Sequence, residues 1–288
     1  MRRVPDVALV TARVAEPTDA DLGPLLDALA HLGLHAEAAC WDDAAIDWGS
    51  FRVAVLRSPW DYVPRYDEFL AWLDRTDTKT GVLNPPAVVK WSTDKHYLAD
   101  LAAVGVPVVP TRFCEPGGAL PGAYELDGEI VVKPVISAGS KDTVRHTSPA
   151  AARDHIAALV EAGRSVMIQP YLDRIDRDGE TGLVYFEGAF SHAFRKGPIL
   201  RADAPATDAF FAPEEIAPRT PSIAELAVGD AALAACPPDL LYARVDLVPG
   251  PNGTPVVLEL ELAEPSFFVS TAPGSAERFA DCIAKRLT

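Results

Sequence analysis

The 288-residue chain predicts an α/β protein of two or three lobes, and three observations carry that prediction. Short apolar runs alternate with amphipathic helical patterns over about residues 1–88. A proline-rich break, Asn84-Pro85-Pro86, follows. Beyond it the apolar runs lengthen and pair across turn residues, with helices set between groups of strands. Alternation of strand and helix is the pattern of a parallel sheet, whereas paired long runs imply antiparallel hairpins. The length suffices to bury a substantial core.

Taken in order, Asp6 to Val10 is expected as a buried strand, and Asp19 to Leu32 as a helix. Leu22, Leu25, Leu26 and Leu29 lie on one face of that helix, and Gly33 stops it. His35 to Ala39 and Phe51 to Leu56 are further strands, and Arg65 to Arg75 is a short amphipathic helix. No Gly-x-Gly-x-x-Gly follows the first strand, so a dinucleotide fold in the strict sense is unsupported. After the Asn84-Pro85-Pro86 boundary, Ser92 is expected to cap a helix running to Val104. Ile130 to Val135 and Val166 to Gln169 are strands that flank a helix from Ser148 to Ala162. Two long strands start at Gly179, Ala202 to Pro221 is expected as a long loop, and Ser222 to Ala235 as a helix. Leu241 to Leu247 and Val256 to Leu262, joined by Pro249-Gly250-Pro251-Asn252-Gly253, form an expected hairpin. A last helix runs from Ser275 to Leu287.

The composition, 49% hydrophobic and 23% charged, is that of a soluble globular protein. A net charge of −15 excludes a basic nucleic-acid-binding surface, though not a local anion site. Cys40, Cys114, Cys236 and Cys282 are far apart and form neither a CxxC pair nor a zinc spacing, as expected for reduced thiols. The start of the chain lacks the apolar stretch of a signal peptide, and no window reaches the length of a membrane span. A cytoplasmic protein with neither nucleic acid nor membrane as partner is expected, and a homodimer is compatible with these totals.

Chemistry concentrates in the hairpin. Glu259 and Glu261 sit two apart in an apolar strand and therefore share a face, as do Arg244 and Asp246 upstream. Three acids on one wall lose hydration and repel each other unless cations neutralise them, and an all-oxygen set suits Mg²⁺. A solvated hairpin is the plainer alternative. Lys133 lies inside the apolar strand Ile130-Val131-Val132-Lys133-Pro134, where a bare ammonium is costly. The small polar stretch Ser137-Ala138-Gly139-Ser140 after it can wrap phosphate oxygens, although an edge-strand lysine reaching solvent reads the same way. Gln169 and Leu172 flank a strand-ending Pro170, Glu180 follows a polar linker, and Arg195-Lys196 ends another strand. Each of these alone is more often a surface group.

Their order resembles the ATP-grasp superfamily, over about residues 89–288. The resemblance implies two α+β lobes, about 110–172 and 173–288, clasping ATP behind a Rossmann-like domain at 1–88. It places Lys95, Lys133 and Lys196 on the phosphates, with Ser137 and Ser140. Gln169 and Leu172 fall at the adenine and Glu180 at the ribose. Asp246, Glu259 and Glu261 become ligands of one or two Mg²⁺ ions, with Mn²⁺ as a substitute, and Arg244 steadies the transferred phosphoryl group. Many members carry Asn where Glu261 stands, so this site holds one more acid.

Within that superfamily, Leu56-Arg57-Ser58-Pro59-Trp60-Asp61-Tyr62, the run from Lys133 to Ser140 and Glu259 to Phe267 are similar to the O-ureidoserine cyclo-ligases, which close the ring of cycloserine. The implied activity is ATP-dependent activation of the carboxylate of O-ureido-D-serine as an acyl phosphate. Attack by a nitrogen of the same small, amino-acid-like molecule would follow, with loss of carbon dioxide and ammonia. Arg57, Asp61, Glu264 and Ser266 become candidate substrate contacts; a local salt bridge is the plainer role for Arg57 and Asp61. A ligase joining an amino acid to a separate amine, and a catalytically silent ATP-binding module, are the rival expectations.

Overall fold

A computed structural model describes residues 5–122, 126–204 and 214–288. The first sheet is parallel. Its strands β1 (Val7–Thr11), β2 (Ala36–Cys40), β3 (Val53–Ser58) and β4 (Gly81–Leu83) lie in the order β2-β1-β3-β4. Helices α1 (Leu22–His31) and α2 (Tyr66–Asp77) connect β1 to β2 and β3 to β4. On the α2 side Trp41, Trp48, Phe69 and Trp72 pack edge-on and stacked around Tyr62. Strand β3 is buried along its whole length, as expected of an inner parallel strand.

Between the sheets, α3 (Pro86–Thr93) and α4 (Tyr97–Ala103) replace the single helix expected there. Pro86 sits in the first turn of α3, where its missing N–H costs nothing, so the helix starts six residues early. Ser92 is therefore no cap: its hydroxyl donates back to the Val89 carbonyl inside α3. Extended backbone at Asp94 breaks the two helices apart, and Lys95 falls in that break.

An antiparallel sheet follows, ordered β5-β8-β6-β7, from β5 (Arg112–Cys114), β6 (Ile130–Pro134), β7 (Val144–His146) and β8 (Val166–Pro170). Helix α5 (Pro149–Glu161), capped by the Ser148 hydroxyl, closes its core through Ala152, Ile156 and Leu159. After α6 (Ile175–Asp178) comes the third sheet, ordered β11-β10-β9-β12-β13. It consists of β9 (Glu180–Phe186), β10 (Ala189–Lys196), β11 (Ile216–Pro218), β12 (Tyr242–Pro249) and β13 (Pro255–Glu261), all antiparallel. Strand β11 lies inside the stretch expected as a loop, where it pairs with the end of β10; the rest of that stretch is partly outside the described residues.

The third sheet is buried on both faces, and its residues divide with period two. Leu183, Tyr185, Ala243 and Val245 join a core with α4 and with Ala232 of α7 (Ile223–Ala234), a helix whose start carries a Ser222–Glu225 capping box. Val184, Phe186 and Tyr242 face the other way, onto α1 and Phe279 and Ile283 of α8 (Ser275–Arg286). Gly182 permits this packing, because a Cβ there would strike the Phe194 ring. The helix α1 of the first sheet thus shares one core with the third sheet and α8.

Asn84, in the Pro-rich segment expected as a plain boundary, is fully buried and pins the two halves together. Its amide donates to the carbonyls of Tyr242 (2.9 Å) and Leu262 (2.7 Å), and its oxygen accepts from the Leu241 N–H at 2.7 Å. Removing it leaves buried backbone groups of the hairpin unpaired, each costing about 1–3 kcal/mol. Asn84→Ala is expected to destabilise the protein by about 3 kcal/mol, as measured by the urea midpoint at unchanged slope.

Candidate active site

The hairpin β12–β13 sets the charged residues by register. Arg244 lies opposite Glu261 and Asp246 opposite Glu259, with a bulge just past Asp246. Apolar neighbours Val245, Leu247, Val257 and Leu260 hold the strands in the core, so the charged side chains are committed to one face. That face forms one wall of a cavity of about 640 Å³ between the second and third sheets and the end of the first. Lys95, Lys133, Ser137, Ser140, Gln169, Leu172, Glu180, Lys196, Arg244, Glu259, Glu261, Glu264 and Ser266 all border it. Asp246 is buried directly behind Arg244.

The guanidinium of Arg244 grips Asp246 through two bonds, Nε–Oδ1 at 2.8 Å and Nη2–Oδ2 at 2.7 Å. It also donates to Glu261 and to the Ser266 carbonyl. Lys196 meets Glu180 at 2.9 Å and Asp246 at 3.6 Å. Lys95 donates to the Ser137 carbonyl at 2.7 Å and pairs with Glu259 at 3.2 Å. Its backbone N–H is bonded to the Val135 carbonyl, which is how the break between α3 and α4 aims it at β6.

Lys133 differs from these three. It is 7% exposed, and among the described residues it makes neither a hydrogen bond nor an ion pair. Burial pulls its pKa down, and Lys95 and Lys196 add to that while Glu259 and Glu180 oppose it. The acids divide likewise. Burial pushes Glu259 up, but Lys95, Lys133 and Lys196 outweigh it, so the carboxylate stays charged well below its usual range. Burial raises Glu261, and Asp246, Glu259 and Glu264 push further against the single opposing charge of Arg244. The cluster therefore holds an acid that its own cations leave uncompensated and an ammonium that its own acids leave unpaired. Such a pattern suits a bound cation next to a bound polyanion. No group of three metal-ligating side chains is gathered for an ion among the described residues, because Arg244 and the lysines occupy the acids.

Opposite the charges the wall is apolar. Val109, Leu172 and Leu258 line it, and Leu172 packs in a cluster with Val109, Ile175, Val248 and Val256. Gln169 is buried and donates to the Thr111 hydroxyl at 2.9 Å. In the loop after β6, Gly139, Ser140 and Asp142 all have positive φ (61°, 59° and 56°). Left-handed backbone at two non-glycine residues is strained by about 1–3 kcal/mol each, and such strain gathers at ligand clamps.

Two expected substrate contacts fall elsewhere. Arg57 is 0% exposed and is sealed from the cavity. It donates to the Pro265 carbonyl at 3.0 Å, lies over the Phe267 ring and faces Asp21 at 3.5 Å. Asp61 accepts from the indole of Trp41 (2.7 Å) and from Arg65 (3.0 Å), outside the cavity. The plainer alternative weighed for both, an ion pair, is what the structure shows: Arg57 faces Asp21 and Asp61 pairs with Arg65. Asp21, which the sequence did not single out, accepts from the backbone N–H groups of Phe267, Phe268 and Val269 at 2.6, 3.0 and 2.8 Å. The first domain thus fixes the segment whose Ser266 carbonyl orients Arg244. Trp60 and Tyr62 were also missed as cavity residues. Their signal was present in the strand-end string Trp60-Asp61-Tyr62.

The comparisons agree with this geometry. Residues 7–84 match the family described as D-cycloserine synthetase DcsG, N-terminal domain. Over 98% of both chains the sequence is 42% identical to the cycloserine biosynthesis protein DcsG of Streptomyces lavendulae. The crystal structure of D-cycloserine synthetase DcsG superposes with a TM-score of 0.90 at 40% identity, covering 98% of this chain and 99% of that one. The D-alanine–D-alanine ligase of Bacillus anthracis (14% identity, TM-score 0.65, 98% and 97% covered) and the ATP-grasp ligase PsnB (18%, 0.64, 98% and 100%) share the fold. The protein is an ATP-dependent ligase of the ATP-grasp fold. Within that class it belongs to the DcsG family.

Next to Lys95, His96 bridges Asp94 (2.6 Å) and Glu115 (2.9 Å), and Glu115 also accepts from Ser165. Burial opposes protonation of His96, but Glu115 and Asp94 outweigh it and raise the pKa. A raised folded-state pKa means stability that is fully present below the unfolded value of about 6.5 and lost as pH rises through the folded value. The melting-temperature difference between wild type and His96→Gln should therefore favour wild type at pH 5.5 and shrink by pH 8.5.

Proposed function

We propose that the protein activates the carboxylate of O-ureido-D-serine with ATP and closes its ring to D-cycloserine, with loss of carbon dioxide and ammonia. The observation that carries the nucleotide half of this reading is Lys133: a buried ammonium without an ion-pair partner among the described residues, in a cavity that also offers Lys95, Lys196 and Arg244, calls for a polyanion. The substrate is taken from the similarity to D-cycloserine synthetase DcsG. We take residues 1–88 as the leading domain and 89–288 as the ATP clasp. Lys95, Lys133 and Lys196 meet the phosphates, and the loop of Ser137 and Ser140 covers them. Gln169 and Leu172 receive the adenine, and Glu180 takes the ribose.

Asp246, Glu259 and Glu261 would hold one or two Mg²⁺ ions, with Mn²⁺ as a substitute. Their all-oxygen set and the excess charge at Glu261 fit a hard divalent ion, which supplies neutralisation of phosphate charge when bound. Arg244, locked by Asp246 and the Ser266 carbonyl, meets charge that develops on the transferred group without having to reorganise. A small amino-acid-like substrate lies between Arg244 and the wall formed by Tyr62, Glu264 and Ser266. Holding its carboxylate and its own nitrogen in reach of each other contributes about 7–11 kcal/mol, which a separate amine would have to recover by binding.

Incubation with O-ureido-D-serine alone tests the reading: ADP and ring product should form with no second amine, whereas ADP release only on adding an amine would assign an intermolecular ligase. Lys133→Met should abolish ADP formation yet leave the melting temperature equal or higher, since it removes an unpaired buried charge. Glu259→Ala should abolish turnover and lower the melting temperature, because it strands Lys95.

A further inference from the structure

Most acids that border the cavity have a cation in direct reach; among the described residues the exceptions are Glu214, exposed at the rim, and the half-buried Glu264. Glu180, Asp246, Glu259 and Glu261 each lie within 4 Å of a lysine or arginine. Glu264 borders the same cavity three residues past β13 and has no cation within that distance among the described residues. Neutral donors of the first domain hold it instead. The Tyr62 hydroxyl donates to Oε1 at 2.8 Å, and the Trp60 indole donates to the Glu264 backbone carbonyl at 3.0 Å. Tyr62 is itself buried and stacked on Phe69 with ring centroids 4.8 Å apart. The second carboxylate oxygen has no hydrogen-bond partner among the described residues. An acid fixed at one oxygen by a neutral donor, with the other facing a cavity, is arranged to accept a proton rather than to bind a positive charge.

Resting on the function proposed above, we infer that Glu264 is the general base of ring closure, oriented by Tyr62. A nitrogen that attacks an acyl phosphate forms the N–C bond as the C–O bond to phosphate breaks. The phosphate leaves with the electron pair of that bond, and the nitrogen must shed its proton. Glu264 receives that proton. The other groups that face it are Lys95 from the α3–α4 break, Tyr242, Arg244, Glu259 and Glu261 from the hairpin, and Tyr66 beside Tyr62. Burial pushes Glu264 up to about 7, against the Tyr62 hydrogen bond and the charge of Lys95, which suits a base that turns over near neutrality. Phosphoryl transfer precedes this step and does not need it, so the two halves of the reaction separate in a variant.

The test uses the full chain with ATP, Mg²⁺ and O-ureido-D-serine, measuring ADP, ring product and the hydroxamate formed when hydroxylamine traps the acyl phosphate. Glu264→Gln keeps the acceptor for Tyr62. It should lower ring formation by about 10² or more and lower hydroxamate formation far less, so that the ratio of ring product to hydroxamate collapses, with the KM for ATP near wild type. Glu264→Ala should regain ring closure when formate is added. Ring formation by Glu264→Gln within about three-fold of wild type would overturn the assignment, as would loss of hydroxamate together with ring product. So would a Glu264→Ala variant that traps hydroxamate yet ignores formate. Wild-type protein that makes no ADP from O-ureido-D-serine is a different result, and it removes the proposed function itself.

Discussion

Compensation of buried charge is the constraint from which the site follows. Lys95, Lys133, Lys196 and Arg244 crowd one cavity with Glu180, Asp246, Glu259, Glu261 and Glu264. Ions taken out of water cost several kcal/mol each unless good geometry compensates them. Arg244 and Asp246 supply that geometry with a two-bond grip, and Lys196 and Lys95 complete it on either side. What remains uncompensated, the ammonium of Lys133 and the excess acid at Glu261, is what a ligand of opposite charge can recover.

Keeping such a cluster in register requires rigid surroundings, and these come from the first domain as much as from the catalytic sheet. Asn84 ties both hairpin strands, Asp21 gathers three N–H groups of the segment after it, and Arg57 supports that segment from below. The shared core of α1, α8 and Phe267 makes these polar contacts possible by excluding water around them. The small parallel domain therefore acts as one wall of the site and sets the position of its acids.

The two faces of the third sheet explain why one sequence supplies both stability and chemistry. Alternate residues of β9 and β12 enter separate apolar cores. Charged side chains interrupt this alternation at Arg244 and Asp246 within β12 and at the ends of β9 and β13, and there the cavity opens. Substitution in the middle of these strands disturbs packing, whereas substitution at Arg244, Asp246 or Glu259 disturbs charge.

The sequence by itself determined the longer strands and helices, the acidic hairpin and the residues of the charged cluster, because period-two alternation and misplaced charges are local patterns, whereas three-residue strands such as β4, β5, β7 and β11 are too short to show a period. Lys133 in an apolar strand and the Glu-x-Glu pair stand out without any knowledge of neighbours. It misplaced the start of α3, where a proline tolerated at a first helical turn looks like a breaker. Partners 150 to 250 residues away were beyond it. Arg57 and Asp61 were expected on the substrate, and Asp21 and Asn84 were passed over, since a strand-end arginine, a helix-flanking aspartate and an Asn-Pro pair carry ordinary local meanings. Only the tertiary structure decided which cation meets which acid, because a charge is worth what its surroundings make it, and those surroundings come from distant parts of the chain.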